Sequence, residues 1–463
     1  MQYAPYWKFC RDVVAGSDTV KAGGTTYLPK PSGMKDGDFK GYVTRAEFYP
    51  ATGRTAENLD GFLNMKKLQK TCPEPLLQYL DNVDGMGTDI DRFVSNITKD
   101  CIITNWGGIL VDAPEGKGES IAQAETQGLF PYLSYYPAEQ IINVDYTTMN
   151  RNKILSLVVL KETIQKSTND RFVKENVTQY RVLEIEEESG YYKESVYDDK
   201  ENLISEVIPL KAGKPLTYIP FYFLPNEKPV IPMLKNLADI NIAHYRKSAD
   251  LENGAHWTGV PTPYCLGWQP DSKIDENGKE VPADPMCLGG SEFIFFPDGR
   301  QVSYLEFTGQ GCNLLREMMN DDEDRMAKLG ARIIATETKG VESVETAKIH
   351  RAGENSILST FANKMSDAIS KAVREYLEWT VASEITEDIY IKINTDYNVE
   401  GIEANKLTAL VSLWQSGGIS KRTLFNNLQE GEVISSSKTF EDEQEEIDEE
   451  GVAMPVALPP EMM

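Results

Sequence analysis

Apolar residues recur every three or four positions through residues 345–382, a stretch without proline, where Ile357, Phe361, Met365, Ile369, Val373, Tyr376 or Leu377, and Val381 share one helical face. A stripe that long demands burial along its whole length, and an uninterrupted helical pattern covers residues 343–381. Two thinner patterns precede it. Residues 233–257 place Leu234, Leu237, Ile240, Ala243 or His244, Tyr245 and Ala249 on a narrow stripe, with Asp239, Arg246, Lys247, Asp250 and Glu252 on other faces. Residues 313–335 carry Leu314, Leu315, Met318, Met319, Met326, Leu329, Ile333 and Ile334, interrupted by the acidic run Asp321, Asp322, Glu323 and Asp324. Helices this weakly amphipathic are half exposed unless a neighbour covers them. Between them, residues 258–310 hold Pro261, Pro263, Pro270, Pro282 and Pro285 and the strand-like runs Tyr264-Cys265-Leu266, Phe293 to Phe296 and Val302 to Phe307. The polar stretch from Asp271 to Glu280 reads as an exposed hairpin or loop. Two moderately apolar helices flanking a small β-rich insert suit a subunit that packs against copies of itself, and suit an enzyme pocket poorly.

Upstream, the glycine and proline clusters of the first 60 residues predict irregular chain wrapping a surface. A helix starts at Thr88, with Ile90, Phe93, Val94, Ile97 and Cys101 on the face that should pack on a sheet. The sheet is expected after Gly107-Gly108 and through residues 109–111, 132–144, 154–161, 177–187, 191–197 and 203–208. Hairpin turns at Ser189-Gly190 and Asp198-Asp199 make it antiparallel, so residues 60–225 predict an α+β domain. The proline-rich segment 220–232 marks a boundary. After a strand at 389–393, short helices are expected at 403–414 and 421–428, the first ended by Gly417-Gly418 and the second capped by Ser420.

The chain has 463 residues, room for two to four compact units, and 41% hydrophobic content. No run approaches the ~20 apolar residues of a membrane span, and the first 11 residues lack the basic start and aliphatic run of a signal peptide, so a cytosolic setting is expected. Six scattered cysteines without a Cys-x-x-Cys pair and three separated histidines argue against a zinc site; reduced, mostly buried thiols are expected, and no metal or cofactor. The net charge is −25. Residues 441–463 hold nine acids and no Lys or Arg, and setting those nine aside leaves −16 for residues 1–440. An acidic body argues against tight DNA binding, because affinity for phosphates comes from Lys and Arg. It does not argue against a surface past which DNA slides. The acidic segment from Glu441 is expected to be disordered.

Several ordered matches carry a family resemblance: Tyr6-Trp7, Gly23, Tyr27-Leu28-Pro29, and Arg45-Ala46 with Phe48; Gly107-Gly108 with Leu110-Val111-Asp112-Ala113-Pro114, Pro131-Tyr132 and Tyr136; then Ile219-Pro220, Asn241, His244-Tyr245, Ser248-Ala249-Asp250, and Gly259 with Pro261 and Pro263. In their order, and in the helix, insert, helix, link and long helix that follow, the chain resembles tailed-bacteriophage portal proteins, in a branch often filed as a phage family of unknown function. The resemblance implies an α+β portal-type architecture: an α/β wing over 1–230, a first stem helix over 231–257, a clip over 258–310, a second stem helix over 311–335 and a tunnel loop over 336–343. The long wing helix and a strand would follow over 344–400, a helical crown over 401–440 and an acidic tail over 441–463.

That family implies a closed ring, typically a dodecamer, at one capsid vertex of the virion, assembled in the host cytoplasm. Its expected partners are capsid and scaffolding proteins, a head-tail adaptor, and a terminase motor that docks on the clip and hydrolyses ATP. Double-stranded DNA would pass through without sequence-specific binding; no membrane, cofactor or catalytic residue is implied. Lys339 in the tunnel loop would touch passing phosphate, or is an exposed lysine on a turn. Arg332 and Lys328 would line the channel, or bridge to nearby acids. Asp321 and Asp324 would face the bore as repulsive charge, or belong to a solvated face. Asp271, Lys273, Asp275, Glu276 and Lys279 are candidates for the clip tip that meets the motor, or form an ordinary polar loop. Two other readings compete. One is a different head-tail ring or adaptor protein; the other is a hydrolase using His244 with Asp239 and Asp250, which lacks a nearby nucleophile or phosphate loop.

Overall fold

Four helices occupy the first 63 residues, where glycine and proline clusters suggest irregular chain: α1 (Ala4–Ala15), α2 (Ser17–Ala22), α3 (Asp36–Arg45) and α4 (Ala51–Leu63). Gly16, at φ 95°, makes the break between the first two. Gly53 serves packing instead: inside α4, a Cβ there would come within 2.9 Å of the Val14 carbonyl oxygen of α1. The computed structural model describes residues 2–114, 130–149, 151–167, 172–258, 262–268, 270–274, 278–281, 286–288, 291–296, 298–305, 310–334, 356–397, 404–430, 433–434 and 438–450.

After β1 (Gln69–Thr71), helix α5 (Ile90–Thr104) is capped by Asp89, whose side chain accepts from the Arg92 amide, one residue beyond the expected Thr88. Ile90, Phe93, Val94, Ile97 and Cys101 are buried as the stripe requires, but they pack chiefly on α1 and α4 and only marginally on a strand. The expected single sheet is two. Strands β2 (Gly107–Asp112) and β3 (Tyr132–Pro137) pair with each other, whereas β4 (Ile141–Met149), β5 (Asn152–Ser167), β6 (Lys174–Ile185), β7 (Tyr192–Asp198) and β8 (Leu203–Val207) form a five-stranded antiparallel meander. Pro137 and a short 3-10 turn at Ala138–Gln140 separate the two where the sequence pattern reads as continuous strand. The small hairpin β9 (Leu210–Lys211) and β10 (Lys214–Pro215) leads to β11 (Phe221–Leu224), which completes the first sheet in the order β11-β2-β3. Gly108 leaves room there for the Phe221 ring, which a Cβ would approach to 2.3 Å and have to displace.

Helix α6 (Lys235–Thr258) is followed by seven short strands, β12 (Thr262–Leu266), β13 (Lys273–Ile274), β14 (Glu280–Val281), β15 (Cys287–Leu288), β16 (Ser291–Glu292), β17 (Ile294–Phe296) and β18 (Gln301–Leu305), then by α7 (Gln310–Ile334). Helix α8 (Ile357–Val381) starts on Ser356, whose hydroxyl accepts from the Ser359 amide. Phe361, Met365, Ile369, Val373, Tyr376 and Leu377 are buried; Ile357 at the first turn is not, at 54% exposed. Residues 335–355, with the expected tunnel loop and the first part of the long helical pattern, lie outside the described residues. Strand β19 (Tyr390–Lys392) is sewn to α8 by two serines: the Ile391 amide donates to Ser370 Oγ (2.9 Å) and the Ile393 amide to Ser366 Oγ (3.0 Å). Trp7, Trp106 and Phe223 stack at 5.5 and 5.7 Å, tying α1 to the first sheet.

Residues 1–395 form one compact unit and 396–463 a second. The second contains α9 (Ala404–Gln415), α10 (Lys421–Glu430) and α11 (Phe440–Glu450). Gly417 (φ 76°) closes α9, and Ser420 caps α10 by accepting from the Thr423 amide. Contrary to the expected disorder, the acidic run is helical over 440–450. Thr439 and Asp442 exchange side-chain bonds to each other's amides in a capping box, and Glu441, Asp442 and Glu443 place negative charge at the positive end of the helix dipole. Residues 451–463 lie outside the description. Mixed helix and strand, in segregated layers, make this an α+β protein.

Candidate functional site

The helices flanking the insert pair antiparallel. Lys247 Nζ lies 2.5 Å from Asp322 Oδ2, His244 Nε2 lies 3.3 Å from Glu323 Oε1, and further along Gly254 opposes Cys312, where a Cβ would meet the sulfur at 3.2 Å. The acidic run therefore does not share one face. The Asp322 side chain is only 4% exposed and points into the pair, with Arg325 a looser partner at 3.9 Å, while Asp321 and Asp324 face outward.

Helix α6 is far less exposed than its stripe predicts, because its polar residues are spent on the chain's own N-terminal segment. Asn241 Oδ1 accepts from the Thr52 amide (3.0 Å) and hydroxyl (2.8 Å), and its Nδ2 donates to the Tyr49 carbonyl (2.7 Å). Ser248 Oγ accepts from the Glu47 amide, Tyr42 donates its hydroxyl to Asp250, and Arg246 Nε donates to the Tyr27 carbonyl. Ala238, Ile242, Tyr245 and Ala249 fill the same seam against Val13, Val20, Leu28 and Phe48. No second copy is needed to cover α6. The His244 ring lies tilted against Tyr49 (5.8 Å between centroids), and its buried Nδ1 has no hydrogen-bond partner among the described residues. Asp239 is held by Lys235 and Asp250 by Tyr42, so the two carboxylates of the hydrolase reading do not converge on the imidazole.

Helix α7 is the exposed partner. Leu314, Met318, Asp321, Arg325, Lys328 and Arg332 follow one another at spacings of four and three, so they line one outward stripe. Leu314 is 58% and Met318 40% exposed. Lys328 and Arg332 fall together with Asp321 on this stripe, and Asp324 sits beside it. Lys339 lies outside the described residues.

In the insert, β17, β12 and β18 form a three-stranded sheet and β13 pairs with β14 as a hairpin. Asp271, Lys273 and Lys279 are exposed at this hairpin; Asp275 and Glu276 are not described. Phe293 to Phe296 are not a closed core: Ile294 and Phe296 are exposed, as are Trp268, Val302 (69%) and Tyr304. In this register Val302 and Tyr304 lie on one face, Ile294 and Phe296 on the other. The sequence marks these runs as strands but offers only the charged loop as a contact surface; that their apolar side chains stay uncovered shows only in the fold.

A second polar centre was missed altogether. Arg181 of β6 contacts Asp112 of β2 (2.9 Å), Glu162 of β5 (2.7 Å) and Glu194 of β7. Tyr132, Tyr136 and Tyr192 donate their hydroxyls to Asp112, Glu162 and Glu194, and Gln179 donates to Glu162. Burial raises the Glu162 carboxyl, but Arg181, Tyr136 and Gln179 outweigh it and leave it below the ordinary carboxylate value. Burial, and then the neighbouring Asp112 charge, push Glu194 up to about 7. The four charged residues follow one another at separations of 50, 19 and 13 positions along the chain, and only strand register brings them together.

The sequence profile of one family, described as Domain of unknown function (DUF4055), matches residues 232–380, the span from α6 nearly to the end of α8. No curated protein matches. Among solved structures, the chain is similar to one from "Neck of empty GTA particle computed with C6 symmetry" (12% identity, 90% of this chain and 98% of that chain covered, TM-score 0.36). It is also similar to one from "Virion of native gene transfer agent (GTA) particle" (11%, 88% and 97%, TM-score 0.36). At those scores function rests on this chain's own residues.

Proposed function

We propose that this chain is a portal-type subunit of a tailed phage or phage-like particle: a structural, non-catalytic protein that closes into a ring, typically of twelve, around a DNA channel. The observation that carries the reading is the antiparallel pair of α6 and α7, each of 24 or 25 residues, with a β-rich insert at its open end whose apolar side chains are exposed. One helix is rooted in its own chain and the other presents a bare outward stripe. In a ring, the apolar end of that stripe, Leu314 and Met318, is covered by the next subunit through a heterologous contact that closes, and its charged end is left to the bore.

In this assignment residues 1–230 form the wing, 231–257 and 311–335 the stem, 258–310 the clip, 336–343 the tunnel loop, 344–400 the long helix and strand, 401–440 the crown and 441–463 the tail. Asp321, Asp324, Lys328, Arg332 and Lys339 are the channel candidates. Asp271, Lys273, Asp275, Glu276 and Lys279, now joined by the apolar clip sheet, are candidates for docking the terminase motor or adaptor. A net charge of −25 per subunit keeps DNA from sticking to the ring.

Mass photometry of the purified chain tests this. A defined large oligomer is expected, dissociated by the paired substitution Leu314→Asp and Met318→Asp. A strict monomer at micromolar concentration in both low and high salt overturns the assignment.

A further inference from the structure

Three carboxylates meet one guanidinium at Arg181, and each of the four side chains is less than one-fifth exposed. Asp112 Oδ2 and Glu194 Oε1 accept from the same nitrogen, Nη1. Two carboxylate oxygens on one NH2 group lie within ~5 Å of each other, where like charges in a poorly solvated site cannot both ionise freely. The remaining neighbours are neutral donors: the hydroxyls of Tyr132 and Tyr136 from β3 and Tyr192 from β7, and the Gln179 amide from β6. Lys193 points to the opposite face of β7, where it pairs with Glu184, Glu186 and Glu206, so no ion pair among the described residues brings a second cation to the cluster. Fully ionised, the four charged groups carry −2; with one proton held, −1.

The cluster also spans a joint. Asp112, Tyr132 and Tyr136 belong to the three-stranded sheet, while Glu162, Gln179, Arg181, Tyr192 and Glu194 belong to the five-stranded meander. We infer that this cluster is a proton-dependent clasp between the two sheets, closed while Glu194 holds a proton and loosened when that proton leaves. Loss of the proton adds a second uncompensated charge to a site that cannot solvate it, and opening the joint to water relieves the cost.

The direction follows from linkage. Glu194 binds its proton more tightly in the closed joint (about 7) than at its ordinary value of 4.5, so the proton-linked stabilisation is fully present below 4.5 and is lost as pH rises through about 7. If opening returns Glu194 to its ordinary value, the opening equilibrium becomes about tenfold more favourable between pH 6 and pH 8.

Hydrogen exchange of the full chain, read by mass spectrometry and corrected for intrinsic rates, tests this in β2, β3, β5, β6 and β7. Protection is expected to fall about tenfold from pH 6 to pH 8 in these strands and not in α8. Glu194→Gln, which keeps the side chain neutral, should hold the low-pH protection at pH 8. Equal protection at both pH values in the parent, or an undiminished pH effect in Glu194→Gln, overturns the clasp. If that variant does not fold, difference infrared spectroscopy of the parent decides: a buried carboxylic-acid carbonyl band should be present at pH 6 and gone at pH 8, and its absence at pH 6 overturns the inference.

Discussion

Replacing Lys247 with Met removes the close partner of Asp322, a carboxylate 4% exposed between α6 and α7. Breaking a buried pair from one side costs about 3–5 kcal/mol because a charge is left without compensation. The lower end applies, since Arg325 is 3.9 Å away with a largely exposed side chain free to swing inward. Asp322→Leu should cost less, about 2 kcal/mol, because the Lys247 ammonium, already one-fifth exposed, can reach water along its aliphatic stem. Removing both charges leaves an apolar contact, and the double variant should fall within about 2 kcal/mol of the parent, a coupling of about 3 kcal/mol. Urea denaturation of the four proteins at one fixed concentration measures this cycle. Simple additivity, with a coupling below about 0.5 kcal/mol, would refute the claim that this pair welds α6 to α7 within one chain.

Arg181→Met should destabilise by about 3–5 kcal/mol in the same assay, whereas Lys8→Ala, which breaks an ion pair with Asp12 from a 74% exposed lysine, should stay within about 0.5 kcal/mol of the parent. Gly108→Ala must displace the Phe221 ring and should cost about 1–3 kcal/mol by thermal or urea unfolding; a neutral result would mean that β11 is not seated on β2 as described. Ser370→Ala leaves the Ile391 amide without its acceptor, and proteolysis near β19 should accelerate with a loss of about 1–3 kcal/mol. Val302→Lys on the clip sheet should leave monomer stability within about 0.5 kcal/mol while weakening association, read by urea titration beside mass photometry.

What the sequence showed best was whatever is local. The α8 stripe, the turns at Ser189-Gly190 and Asp198-Asp199, and the Ser420 cap each depend on residues within a few positions of one another. What it hid depends on partners far along the chain. Asn241, Ser248 and Asp250 look like solvent-facing residues until Thr52, Glu47 and Tyr42 arrive to bind them, which is why α6 reads as half exposed and is not. Gly53 reads as a loop residue and is a helix contact. The Arg181 centre is invisible without strand register, and Asp322 is distinguished from its acidic neighbours only by the face of α7 it occupies. Of the candidate residues, Asp321, Lys328 and Arg332 share a surface that no linear reading of a charge run specifies.

The central claim, that α7 joins neighbouring subunits of a closed ring through Leu314 and Met318 and turns its charged end to an axial channel, is tested most directly by negative-stain electron microscopy with rotational averaging of the purified chain. The account predicts ring-shaped particles of uniform subunit number with an axial hole. Compact particles without an opening or a repeated contact surface would contradict it.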